Sequence, residues 1–125
     1  MNLPRVVGLA AVAAAALLVG ACGGEVPQAS PDLTPQQQRG LQIAQSSGCA
    51  SCHGAGFVGG VGPTWVGLAG KTVTLADGST VVADATYLTE AIAEPGAKLL
   101  PNYTIAMPKN ALSDVDIADI VAYIE

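Results

Sequence analysis

The 125-residue sequence is poor in the residue types that most often carry chemistry. It holds one histidine, His53, and three cysteines, Cys22, Cys49 and Cys52. A structural zinc site takes four Cys or His ligands. This chain reaches that number only by recruiting Cys22, which lies far from the other two in sequence. Basic residues are scarce as well, 5 lysines and arginines against 10 aspartates and glutamates. Phosphate backbones are held by a concentrated basic face, so nucleic acid is excluded as a partner. The aromatics are Phe57, Trp65, Tyr87, Tyr103 and Tyr123, too few for a base-stacking platform. No nucleophile, base or acid pair stands out. Methionine occurs twice, as Met1 and Met107.

Apolar residues make up 50% of the chain, and the excess lies at its start. After Asn2-Leu3-Pro4-Arg5, residues Val6 to Val19 include no charged or polar side chain. That run falls short of the about 20 residues of a membrane-spanning helix and suits the apolar region of an export signal. The segment ends Leu18-Val19-Gly20-Ala21-Cys22 and resembles the lipobox of bacterial lipoproteins. The resemblance implies a signal peptide over 1–21, cleaved before an acylated Cys22. An uncleaved signal anchor with an incidental cysteine is the competing reading. Several acyl chains hold a domain stably at a membrane where one is marginal. The expected location is the bacterial cell envelope, facing the periplasm or cell exterior. Residues 22–33, rich in Gly, Pro and acids without hydrophobic period, read as a flexible tether.

Cys49-Ala50-Ser51-Cys52-His53 gathers the scarce residues into one pentapeptide. Cys-x-x-Cys-His is the attachment signature of c-type haem. Two thiols at this spacing can add to the two vinyl groups on one porphyrin edge. The adjoining imidazole is then held beneath the iron as proximal ligand. A thioredoxin-like dithiol would want a βαβ surrounding, which is missing. A plain Cys49–Cys52 disulfide is the competing reading in an exported protein. The expected cofactor is one covalently attached haem c.

With His53 used, Met107 is the candidate for a second axial ligand. A thioether favours ferrous iron and raises its potential. A lone methionine also serves as core filler, but its neighbours Tyr103-Thr104-Ile105-Ala106 and Pro108 read as loop, and Pro108 stops a helix. Gly54 to Gly62 holds five glycines in nine residues without the Lys and Ser/Thr of a phosphate-binding loop. It reads as close backbone approach to a flat macrocycle, or else as a flexible loop.

Local signals predict a mostly helical domain. Thr34-Pro35 starts a helix that runs to Ser47 with Gly48 as its stop, and Gly40, Leu41 and Ala44 form its packing stripe. Asp84 caps a second helix carrying Tyr87, Leu88, Ala91 and Ile92, ended by Pro95-Gly96. Ser113 and Asp116 resemble a capping box, and Ile117, Ile120, Val121 and Ile124 follow at core-helix spacing. Thr72–Leu75 and Thr80–Val82 flank Asp77-Gly78, a hairpin signal.

Together these residues resemble a class I cytochrome c over roughly Thr34 to Glu125. The resemblance implies an all-α fold with a small β-hairpin insertion, occupying 34–125. More narrowly, Cys49 to Gly54, Gly62-Pro63-Thr64-Trp65, the Val73–Ser79 hairpin, Ala106-Met107-Pro108 and Leu112 to Ile124 are similar to the cytochrome c domain of subunit II in caa-type haem-copper oxidases. By that resemblance Cys49 and Cys52 carry the haem, and His53 and Met107 ligate its iron. The resemblance also implies that the Pro63 carbonyl accepts a hydrogen bond from the second nitrogen of His53. The first helix packs on the last, and Trp65 lines the haem, donates to a propionate, or simply fills the core. The oxidase subunit precedes this module with membrane helices and a binuclear copper domain. One His and three Cys cannot furnish both centres, so the expectation is a detached module.

The expected function is one-electron transfer by a membrane-tethered monohaem cytochrome in a respiratory or related chain, not catalysis. Its partners would be redox proteins such as a haem-copper oxidase or a dehydrogenase. The alternatives are a non-catalytic haem subunit of such a complex and a haem gas sensor. Lys98 and Lys109 bracket Met107 and suggest a positive docking rim, or scattered solubilising charge. Asp114, Asp116 and Asp119 read as a solvated helix face.

Overall fold

Thr34 and Pro35 open the first helix in the computed structural model, which describes residues 32–125. The expected signal peptide, Cys22 and nearly all of the tether lie outside the described residues. Helix α1 spans Pro35–Ser46. Proline suits the first helical position, where its N–H would have no helical acceptor. Thr34 Oγ1 accepts from the Gln37 N–H at 3.3 Å, and Gln37 Oε1 accepts from the Thr34 N–H at 2.9 Å. This capping box satisfies two orphan donors at once. The helix closes one residue before the predicted end, and Gly48 follows at φ +76°. That left-handed conformation, disfavoured by a Cβ, turns the chain straight into the single turn α2, Ala50–His53.

A 3-10 turn over Ala55–Phe57 comes next, then strands β1, Thr72–Thr74, and β2, Thr80–Val82. They pair antiparallel with Val73 opposite Val81. The connection is longer than the Asp77-Gly78 signal predicts. Leu75 leaves the strand and closes the loop by donating its N–H to the Ser79 carbonyl at 2.8 Å. Helix α3 is Ala85–Ala93, capped by Asp84, whose Oδ1 accepts from the Tyr87 N–H at 2.9 Å. Helix α4 is Asp114–Ile124, started by the predicted Ser113–Asp116 capping box. The described residues are thus mostly helical with one small sheet. No helix among them is long and apolar enough to cross a membrane.

The first and last helices cross backbone to backbone. A Cβ built on Gly40 would stand 1.9 Å from the Asp119 carbonyl oxygen, so only glycine permits this approach. Ala44 and Ile120 seal the crossing at 0% and 1% exposure. Burying one such isoleucine is worth about 2 kcal/mol. Glycine within a helix costs about 1 kcal/mol against alanine, so the contact more than offsets it. Ile117 and Val121 are buried beside Ile120, while Ile124 is half-buried, as the spacing predicts.

One expectation fails here. Asp119 is not on a solvated face: it is only 5% exposed and accepts from Arg39 Nε at 3.0 Å. Its position directly over Gly40 draws the carboxylate into the helix crossing. The long Arg39 side chain reaches in from α1 to neutralise it.

Candidate functional site

The turn after α1 builds the site. With Gly48 reversing the chain, the Cys49 N–H donates to the Ala44 carbonyl at 3.0 Å, which welds the start of α2 to the buried end of α1. Cys49 and Cys52 stand three apart on one helical turn, spacing that places them on the same side. Both are free and half-buried, not joined as a disulfide. Burial pushes the Cys49 thiol above the ordinary cysteine range, and the neighbouring Cys52 adds to the shift.

His53 ends the turn, 8% exposed. Its Nδ1 lies 2.8 Å from the Pro63 carbonyl oxygen. A carbonyl can only accept, so Nδ1 carries the proton and donates. In the neutral ring this tautomer places the lone pair on Nε2, the form an imidazole needs to ligate a metal.

The glycine-rich segment explains how Pro63 arrives there. The Gly59 N–H donates to the His53 carbonyl at 2.8 Å, and the Gly62 N–H donates to the Cys52 carbonyl at 2.9 Å. A Cβ on Gly60 would come within 2.8 Å of the Cys52 carbonyl oxygen. On Gly62 it would press the His53 ring at 3.2 Å. The loop is pinned rather than flexible, and its close approach is to the Cys52–His53 backbone and to the imidazole itself.

Aromatic side chains back the histidine. Trp65 is a core residue, stacked on Phe57 at 4.2 Å with rings 2° from parallel, and its centroid is 4.9 Å from that of His53. Tyr123 of α4 meets Phe57 edge-on at 5.7 Å. The imidazole is thereby fixed to the helix crossing through a continuous ring cluster. The sequence offered the aromatics but no signal of this stack. Phe57 adopts φ +58°, unusual for a side chain of its size.

Met107 is in a different setting. Residues 101–111 are exposed throughout and form no helix or strand. Tyr103, Ile105 and Met107, every second residue, are left 43%, 58% and 37% exposed. Val58, Val61 and Val66 are uncovered on and after the glycine-rich loop. So much exposed apolar surface in a small domain marks a binding region. Two free sulfurs, an imidazole with an open Nε2 and apolar segments form a set suited to a flat apolar macrocycle with a central metal.

Lys98 and Lys109 do not form a free positive rim. Lys98 pairs with Glu90, and Lys109 Nζ lies 3.2 Å from Glu94 Oε2. Glu90 comes from α3 and Glu94 is the residue that caps its C-terminus. Among the described residues Lys71 is the one cation in no ion pair.

A mostly helical domain with such a turn belongs to the haem-bearing electron-transfer proteins. The cytochrome c family model matches residues 37–125, and the chain belongs to the cytochrome c family. Its cofactor is covalently attached haem c, typically one per domain. A search of curated proteins found no match.

Proposed function

We propose that this chain is a membrane-tethered monohaem cytochrome c that passes single electrons in a respiratory or related redox chain. The observation that carries the reading is the His53 Nδ1–Pro63 hydrogen bond of 2.8 Å, which orients the ring and assigns Nδ1 the donor role, so that Nε2 is the nitrogen available to a metal. Haem c supplies the one-electron couple when bound. The Cys49 and Cys52 sulfurs would hold it covalently, and His53 Nε2 and the Met107 thioether would be the side chains that ligate its iron. Two ligands supplied by the protein would leave a substrate no place at the iron, and the chemistry the group would supply is electron exchange. The Pro63 carbonyl raises the basicity of His53 through the hydrogen bond, and burial of the ring keeps water from competing for it. Cys22 carries the lipid anchor. The partners are redox proteins such as a haem-copper oxidase, in keeping with the likeness to its caa-type subunit II, or a dehydrogenase.

Carbon monoxide tests the ligand set. Added at low concentration to the reduced haem-loaded protein, it leaves the absorption spectrum unchanged if Met107 ligates the iron, and only a large excess displaces the thioether. A prompt shift in the unaltered protein would overturn this reading in favour of a gas sensor.

A further inference from the structure

The segment that carries Met107 is fastened to the body unequally at its two ends. On the N-terminal side the Leu99 carbonyl accepts from the Ala76 N–H at 2.8 Å. From residue 100 to 108 no hydrogen bond joins the segment to another described residue. Lys109 pairs with Glu94, but these side chains are 81% and 63% exposed, and such pairs hold little in water.

Asn110 is the exception. Its Nδ2 donates to the Ile92 carbonyl at 2.8 Å, and its Oδ1 accepts from the Leu112 N–H at 3.2 Å. The Ile92 carbonyl belongs to the last turn of α3, where helical donors run out. Pro95 prevents the helix from continuing to supply one. Asn110 fills that vacancy, and bonds at both ends of its amide fix which way it faces. Ile92 itself is a core residue, 7% exposed. The amide therefore ties the segment to the core three residues after the Met107 thioether.

We propose that Asn110 is a positioning residue for Met107, holding the thioether at the distal side of the haem by tying its segment to α3. The inference rests on Met107 ligation as proposed above. With the tie cut, the chain before Leu112, which packs against the core, would keep on that side only an exposed ion pair. The local concentration of the thioether at the iron would fall accordingly.

The test uses the haem-loaded protein with Asn110→Ala and Asn110→Asp. Aspartate keeps the shape and the acceptor for the Leu112 N–H but cannot donate to the Ile92 carbonyl. The readouts are carbon monoxide affinity of the ferrous protein, the thioether-to-ferric-iron charge-transfer band, and thermal unfolding. Both variants are expected to bind carbon monoxide roughly tenfold more tightly than the unaltered protein, the effect of one lost tie of ordinary hydrogen-bond strength. The band should weaken in both. Variants that melt earlier yet keep the band and the unaltered affinity would overturn the positioning role and leave Asn110 purely structural. An aspartate variant that behaves like the unaltered protein would equally overturn it, because the Ile92 tie would then hold nothing. Failure of Met107 ligation itself is distinguishable, since the unaltered protein would already bind carbon monoxide and lack the band.

Discussion

His53 and Pro63 meet across 2.8 Å, imidazole nitrogen to carbonyl oxygen, although ten residues separate them. The intervening chain can close so tight a loop only because its glycines let backbone lie on backbone. Gly54 turns at φ +82°, and a Cβ there would stand 2.3 Å from the Gly59 carbonyl oxygen. The same hydrogen bond fixes the tautomer of the ring, its orientation and its donor strength. The glycine-rich loop is therefore the part of the fold that sets the donor character of the proposed ligand.

Gly62→Ala tests that link. Its Cβ would lie 3.2 Å from His53 Cε1 and 3.3 Å from Nδ1, so the loop must retreat or the ring must turn. Either motion weakens the bond to Pro63 and makes the imidazole a poorer electron donor. The expected outcome is a raised reduction potential, a shifted Nδ1 proton resonance, and a loss of about 1 to 2 kcal/mol in stability. A potential and resonance that stay in place while stability falls would uncouple the loop from the ligand.

Two glycines in and just after α1 should fail for different reasons. Gly40→Ala drives a methyl group to 1.9 Å from the Asp119 carbonyl oxygen and forces α1 and α4 apart. The cost should reach about 3 kcal/mol or more, at the upper end for overpacking. Gly48→Ala meets nothing within 4 Å, but its φ of +76° penalises any side chain. That substitution should cost only about 1 kcal/mol. Denaturant titrations of the two variants, followed by helical circular dichroism, provide the comparison. Equal losses would mean that the helix crossing yields more readily than its geometry implies.

The pH dependence of stability should include a contribution from the cap of α4. The Ser113 hydroxyl, then the Ser113 N–H, hold the Asp116 carboxyl below the ordinary aspartate range. A depressed folded-state pKa means that the unfolded chain takes up the proton first on acidification. The cap's contribution is therefore full above the unfolded value, about pH 4, and is lost as pH falls through the lower folded one. Asp116→Asn should flatten the stability profile below about pH 4 and leave its neutral-to-alkaline limb unchanged. An unaltered acid limb in urea titrations would show that another carboxylate sets it.

What the sequence made legible was local. Thr34, Asp84 and Ser113 begin their helices where their short oxygen-bearing side chains predict, because a cap needs only the next few backbone N–H groups. Ile117, Ile120 and Val121 are buried as their spacing requires. The Cys49-to-His53 turn was legible for the same reason, its chemistry lying within five consecutive residues. Relationships across long stretches of chain were not. Arg39 and Asp119 are 80 residues apart, and nothing near Asp119 distinguishes it from the exposed Asp114 until α1 is laid across α4. The glycine in mid-helix at position 40 was a clue that another backbone comes close, though not which one. Likewise the Phe57–Trp65 stack depends on a positive φ that no phenylalanine advertises.

Charge at the Met107 segment leads to the last expectation. Lysines beside a redox centre suggest attraction of acidic partners, but here each is already matched by a glutamate, Glu90 in α3 and Glu94 at its C-cap. At distances beyond a few ångströms a paired Lys109 and Glu94 act as a small dipole rather than a positive charge. Electron transfer to an acidic partner should therefore vary weakly with ionic strength. Glu90→Gln with Glu94→Gln would release both positive charges without changing side-chain size. That double variant should react faster with an acidic partner at low salt and lose the advantage as salt is raised. Stability should change by about 1 kcal/mol or less, since Lys109–Glu94 is exposed and Lys98–Glu90 only half-buried. A steep salt dependence in the unaltered protein, unchanged in the variant, would place the docking charge elsewhere on the molecule.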